Sequence, residues 1–196
     1  MNRPSFDQIF LEICDVVAKR STCDRRYVGA VITIDNRIVA TGYNGSIPGE
    51  PHCSDPEEFW QCERCGKKTT TPTKPEWISI DKEYVCSNTF CRGRAVPRKG
   101  GHIMVDTHCV RTVHSEINAL LQCAYMGVQL RGAGAKIYCN TIPCLTCTRA
   151  ILAAGIYTII YSGVYRPSPE VERLAKELPH VKLVYMPLEK GDQEAE

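Results

Sequence analysis

A chain of 196 residues, 43% hydrophobic and 23% charged, is long enough for one well-buried core and has the composition of an ordinary globular protein. Its formal net charge of +2 argues against a chain that coats nucleic acid along its whole length, although a local basic patch is compatible with it. No stretch approaches the ~20 apolar residues of a membrane span. Met1-Asn2-Arg3-Pro4 lacks the apolar core of a signal peptide, so a cytoplasmic protein is expected. Twelve cysteines are the loudest compositional signal. With no signal peptide, and with Cys-x-x-Cys pairs and histidines near them, they read as metal ligands rather than disulfides.

Residues 5–20 repeat apolar side chains at helical spacing (Phe6, Ile9, Phe10, Ile13, Val16, Val17), which predicts an amphipathic helix packed on a core. A polar turn over 21–26 follows. The β-branched runs 28–34 and 37–41 flank Asp35-Asn36, a good hairpin turn. Residues 42–49 are too rich in Gly and Pro for regular structure. From residue 50 to about 101 no period persists. A structureless loop of that size is implausible inside a compact domain, so this stretch needs its own organising device.

Regular structure returns after His108. A helix is expected over 113–126, ending near Gly127, then a strand over 136–140. Pro143 starts a helix over 144–154 that Gly155 closes. A strand (157–161), a helix (169–177), a strand (181–185) and a frayed polar tail (189–196) complete the chain. This alternation predicts one α/β domain over 1–196, a mixed sheet with helices on both faces, and a Cys-rich insertion over 53–101.

The chemistry concentrates in His114-Ser115-Glu116 and Pro143-Cys144-Leu145-Thr146-Cys147. Two thiolates at Cys-x-x-Cys spacing and a distant imidazole make three zinc ligands: His114, Cys144 and Cys147. They leave the fourth tetrahedral position free for water, as in catalytic rather than structural sites. Glu116, two residues after the histidine, is then placed as general base and general acid. A closed structural knuckle completed by Cys139 is the competing reading, and it has no use for Glu116. Each motif falls at the start of a predicted helix, where the dipole favours thiolate over thiol. The H-x-E…P-C-x-x-C pattern is the described signature of zinc nucleobase deaminases.

Thr41-Gly42-Tyr43-Asn44-Gly45-Ser46, His114-Ser115-Glu116-Ile117-Asn118-Ala119 and Pro143-Cys144-Leu145-Thr146-Cys147 resemble the deoxycytidylate (dCMP) deaminases of the cytidine deaminase-like zinc enzymes. His108-Cys109-Val110-Arg111-Thr112-Val113-His114 is similar to their bacterial and phage branch. The resemblance covers about 5–185 apart from the insertion. It implies a three-layer α/β/α fold around a five-stranded mixed sheet, and hydrolysis of dCMP to dUMP and ammonia. It also implies that Asn44 hydrogen-bonds the nucleotide and that the backbone at Ser115, where the family usually has Ala, faces the base. Arg25, Arg26 and Arg111 flank the motifs as cationic partners for the monophosphate, with a solvated surface role as the alternative. Tyr161 or Tyr165 lines the pocket or else packs at the sheet edge. Family members often form hexamers and are activated by dCTP and inhibited by dTTP, with Mg²⁺ accompanying the triphosphate. A homo-oligomer and an effector loop at 42–49 are therefore implied. The alternative substrates are dCTP, a 5-modified deoxycytidine nucleotide, tRNA and single-stranded DNA.

Relatives in that branch carry a second, structural zinc, and Cys23, Cys53 and His108 sit beside the corresponding positions. His52, Cys109 and His102 are all candidates for its fourth ligand. Cys62-x₂-Cys65 followed by Cys86-x₄-Cys91 has the arrangement of a four-cysteine zinc ribbon. The intervening Lys67-Lys68-Thr69-Thr70-Thr71-Pro72 is too polar to fold by burial, so a metal would supply the missing stability. Residues 60–101 carry nine basic against four acidic side chains, with Trp77, Tyr84 and Phe90 interleaved. That pattern suits a nucleic-acid surface, steering of an anionic nucleotide or a subunit contact. A structural ribbon or interface is the preferred reading, and nucleic acid is not. Cys14, Cys123 and Cys139 are expected to pack in the core.

Overall fold

In the computed structural model the chain enters its first helix through a capping box: Gln8 N–H donates to Ser5 Oγ, and Ser5 N–H donates back to Gln8 Oε1. The structure describes residues 3–70, 84–86, 88, 90–91, 93–105, 108–165 and 168–188; the side chains of residues 84, 85 and 108 are outside that description. The elements run α1 (Phe6–Ala18), β1 (Gly29–Ile34), β2 (Arg37–Tyr43), β3 (Gly45–Ser46), β4 (Phe59–Cys62), β5 (Lys68–Thr69), β6 (Tyr84–Val85), β7 (Arg94–Arg98), β8 (Met104–Val105) and β9 (His108–Cys109). They continue with β10 (Thr112–Val113), α2 (Ser115–Tyr125), β11 (Lys136–Cys139), α3 (Leu145–Ala153), β12 (Thr158–Tyr161), α4 (Pro169–Glu177) and β13 (Lys182–Tyr185). They group into two units, Met1–Gly45 with Thr112–Glu196, and Ser46–Arg111.

The first unit is built on a five-stranded sheet in the order β13-β12-β11-β1-β2. β1 is antiparallel to both β2 and β11, while β11, β12 and β13 run parallel, so the sheet is mixed. Asp35 and Asn36 both adopt positive φ (49° and 57°), the two-residue hairpin turn whose twist matches the flanking strands. Alternation along the strands sends Val31, Tyr138 and Ile160 to one face, where Phe10, Leu11 and Cys14 of α1 cover them. Ala30, Ile32, Ile137, Cys139, Ile159 and Tyr161 face the other side. There Ala119 and Cys123 of α2, Ile151 of α3 and Val171 of α4 complete the core. The result is the expected three-layer α/β/α arrangement. A fully buried Leu11 or Ile137 contributes about 1.5–3 kcal/mol to holding a helix on that sheet.

One close approach sets the geometry near the site. A Cβ on Gly42 would lie 2.1 Å from Ser115 O and 2.5 Å from Ala119 N, so β2 meets the first turn of α2 backbone to backbone. Asn118 Nδ2–H donates to Tyr43 O (2.7 Å), and Thr41 N–H donates to Gln122 Oε1 (2.7 Å), which fixes that register.

The second unit has a four-stranded antiparallel sheet in the order β5-β4-β7-β6 and a separate β8–β9 hairpin. It is longer than the insertion expected at 53–101, because its flanks are tied in. Arg111 Nη1 and Nη2 point at Pro51 O and Gly100 O, each at 3.4 Å. The expected tail at 189–196 and the insert's Lys74, Glu76, Trp77, Asp81, Lys82, Glu83 and Arg92 lie outside the described residues. Among the described residues no helix is long and apolar enough to cross a membrane.

Candidate active site

Two helix starts in the first unit bring the catalytic motifs together. His114 is the N-cap residue of α2 and Cys144 that of α3, both in extended backbone conformation. His114 Nδ1 lies 3.6 Å from Cys144 Sγ and 3.4 Å from Cys147 Sγ, and the three donor atoms are all within 4.8 Å of one another. A tetrahedral zinc with Zn–N of about 2.0–2.1 Å and Zn–S of about 2.3 Å separates nitrogen from sulfur by about 3.6 Å. The donor chemistry and spacing fit that ion. The electrostatics agree: a hydrogen bond from Cys147, then one from His114, holds the Cys144 thiol down to about 4, against the push of burial. The same contact with Cys144, together with burial, pushes Cys147 up, and hydrogen bonding to Cys144 raises His114. Thiolate at a helix N-terminus beside an imidazole is a cation-binding arrangement.

Glu116 stands in the first turn of α2, only 3% exposed, and burial raises its carboxyl above the ordinary range. Its Oε2 accepts a hydrogen bond from the wholly buried Ser115 Oγ at 2.9 Å. A buried, oriented carboxyl whose proton is held more tightly than usual, beside the His114–Cys144–Cys147 donor set, is equipped to take up and release protons. The Ser115 hydroxyl was legible only as a departure from Ala; its partner was not.

The residues expected to bind the substrate fall in different places. Asn44 is buried with its amide engaged: Oδ1 accepts from Val28 N–H (2.8 Å) and Nδ2 donates to Arg26 O (2.9 Å). It braces the 26–28 segment. Arg25 and Arg26 line a groove of about 720 Å³ in the first unit, together with Lys19, Tyr27 and Asn140 and with the carboxylates of Asp15 and Asp24. The Arg26 guanidinium also sits over the Tyr165 ring, 5.0 Å from its centroid. Tyr161 packs in the core with its ring 5.3 Å from that of Tyr185, a packing role rather than a pocket wall. Arg111 belongs to the second unit and is 9% exposed, its guanidinium directed at backbone carbonyls, so the structure does not offer it to a phosphate. Sequence reasoning missed Asn118 and Gln122, which couple β2 to α2. Their spacing of four and eight residues after His114 puts them one and two turns along one helix face, and that was the available signal.

Two further donor sets occur in the second unit. Cys62, Cys65, Cys86 and Cys91 have their sulfurs within 4.8 Å of one another. Cys53, His102 and Cys109 also converge within 4.8 Å, with the Cys53 and Cys109 sulfurs 3.6 Å apart. Burial pushes the Cys109 thiol up, but a hydrogen bond with His102 leads the opposing influences and brings it to about 7. Of the expected second-zinc ligands, Cys53 is therefore in a donor set together with His102 and Cys109. Cys23 stands in the first unit, and the His108 side chain lies outside the described residues.

The family profile described as "Cytidine and deoxycytidylate deaminase zinc-binding region" matches residues 4–163. ComE operon protein 2 of Bacillus subtilis (strain 168) is 34% identical over 177 residues, 90% of this chain and 69% of that protein. The deoxycytidylate deaminase of Mycobacterium phage D29 is 34% identical over 161 residues, 82% of this chain and 97% of the phage protein. The crystal structure of dCMP deaminase from the cyanophage S-TIM5 in complex with dCMP and dUMP shares the fold, with a TM-score of 0.58 at 18% identity over 95% of this chain and 100% of that one. The chain belongs to the cytidine and deoxycytidylate deaminase zinc-binding family.

Proposed function

We propose that this chain is a zinc-dependent deaminase that hydrolyses dCMP to dUMP and ammonia in pyrimidine deoxynucleotide metabolism. The reading rests on one juxtaposition: a three-donor site, His114, Cys144 and Cys147, immediately beside the buried carboxyl of Glu116. Zinc bound there supplies a Lewis acid that makes water a nucleophile near neutral pH. Glu116 handles the protons. Its carboxylate takes one as water adds to the ring carbon bearing the exocyclic amine and passes it to the ring nitrogen; it then takes the proton left on the added hydroxyl and delivers it to the amino group, which departs as ammonia. Ser115 Oγ keeps Oε2 aimed while this happens. Gly42 lets β2 approach α2 closely enough for the Tyr43-Asn44 segment to border the site. Arg25 and Arg26, in their groove, supply positive charge suited to a 5′-monophosphate.

Relatives bearing the name deoxycytidylate deaminase, one of them matched over 97% of its length, support dCMP as the substrate. The direct test is ammonia release from dCMP measured against release from a cytosine-containing oligonucleotide. Release from the oligonucleotide alone would transfer the chemistry to a polynucleotide. We place the enzyme in the cytoplasm, where its twelve free thiols stay reduced. A homo-oligomer, activation by dCTP with Mg²⁺ and inhibition by dTTP complete the reading. Hyperbolic kinetics unchanged by either triphosphate would remove the regulatory part. The set Cys53, His102 and Cys109 is read as part of a second, structural zinc site.

A further inference from the structure

We infer that Cys62, Cys65, Cys86 and Cys91 hold a structural zinc ion that serves as the core of the second unit, independently of the deamination chemistry. The geometry comes first. The Cys62 and Cys91 sulfurs are 3.6 Å apart and those of Cys65 and Cys86 3.5 Å apart. Four thiolates at about 2.3 Å from a tetrahedral ion stand about 3.8 Å from one another. A disulfide would require about 2.05 Å. All four sulfurs converge on one point, whereas two disulfides would divide them into pairs.

The backbone around the sulfurs is shaped for negative charge. Arg64 N–H and Cys65 N–H both donate to Cys62 Sγ, at 3.4 and 3.5 Å, and Asn88 N–H donates to Cys86 Sγ at 3.4 Å. In both cysteine pairs the residue two after the first cysteine turns its amide back on that sulfur. Gly66 follows the first pair at φ +72°, a conformation that side chains rarely adopt. Gly93 leaves no room for a Cβ, which would sit 2.6 Å from Cys62 Sγ and 3.3 Å from Cys91 Sγ. Arg64 Nη1 reaches Cys91 O at 3.0 Å, closing one side of the cluster.

Energetics make the ion necessary. Among the described residues, the buried apolar cluster of this unit consists of Cys62, Cys86 and Cys91 themselves, with Phe59 and Ala95 buried outside it. Its sheet strands are only two to five residues long. Such a sheet has little apolar area to bury, and metal binding then becomes the folding energy. Four sulfurs leave no open coordination position, which marks a structural ion rather than a second reaction centre.

The test is zinc content per chain by elemental mass spectrometry, on the full-length protein and on a Cys65→Ser/Cys91→Ser variant. The expected result is one zinc ion fewer per chain in the variant. Equal zinc in the two proteins, or iron where that zinc should be, overturns the inference. Should the variant fail to fold, the unmodified protein is treated with an alkylating reagent before and after a strong chelator, and its peptides are weighed. The four thiols should be protected at first and reactive afterwards; immediate labelling, or recovery as disulfides, overturns it. Failure to deaminate dCMP would leave the zinc count unchanged, so the two readings fail separately.

Discussion

The His114–Cys144–Cys147 centre and the Cys62–Cys65–Cys86–Cys91 centre use the same sulfur chemistry on opposite foundations. In the first unit the donors sit at two helix N-termini, His114 at α2 and both thiols at α3, backed by a five-stranded sheet and its core, and the donor set stops at three beside a buried acid. In the second, among the described residues, Cys62, Cys86 and Cys91 are themselves the buried cluster, and with Cys65 the set closes at four. What a metal does in a protein is therefore read from what surrounds it. Where a fold already stands, an ion with an open position is free for chemistry. Where little apolar surface is buried, a closed ion can supply what the core lacks.

The largest effect expected from breaking this contrast is at Glu116. Glu116→Gln should lower dCMP turnover by about 10²–10⁴-fold while zinc content is unchanged; ammonia release and metal analysis on one preparation check both halves. Chelation should act next most strongly, and unequally. Hydrogen exchange should show residues 46–111 losing protection, while the α/β/α unit keeps its backbone order. Equal loss in both units would erase the distinction. Gly42→Ala tests the sheet-backed side, because its Cβ would press on Ser115 O. A loss of about 1–3 kcal/mol is expected from the urea midpoint, with turnover falling as α2 shifts.

Smaller effects separate thiols by environment. Burial, then Asp15, raises the Cys14 thiol, and burial raises Cys123 and Cys139. Held protonated, Cys14 should resist alkylation in the native protein at neutral pH. The stability gained by keeping it protonated is fully present below the ordinary thiol pKa of about 8.5 and is lost as pH rises beyond it. A urea midpoint that falls between pH 8 and 10, and falls less in Cys14→Ala, is the check. The smallest effect expected is at Ser115. Ser115→Ala removes the bond to Glu116 Oε2 and should lower kcat severalfold, about 1 kcal/mol, with KM little changed.

Much of the first unit was legible in the sequence because its signals are local and periodic. Asp35-Asn36 foretold the hairpin turn, Pro143 and Gly155 bracketed α3, and HxE with PCxxC pointed to the zinc-binding deaminase family. The second unit was legible only through its cysteines. Strands of two residues carry no period, and nothing local reveals that β4 pairs with β7 across more than thirty residues of chain. Sequence adjacency also had no means of choosing among His52, Cys109 and His102 as the fourth donor of the second site. Arg111 and Asn44 are held by contacts of another kind. Both have the right chemistry for a nucleotide, but unsatisfied backbone groups inside the fold claim their side chains.

The point at which the second unit enters the chain has a consequence for tolerance. Residues 46–111 leave the first unit after β3 begins and return at β10, so they form an insertion closed at both ends. The entropy of closing a flexible loop grows only logarithmically, about 0.6 kcal/mol for each doubling of length. By the closure term alone, a metal-folded cassette at this position adds little thermodynamic cost to the fold that carries it.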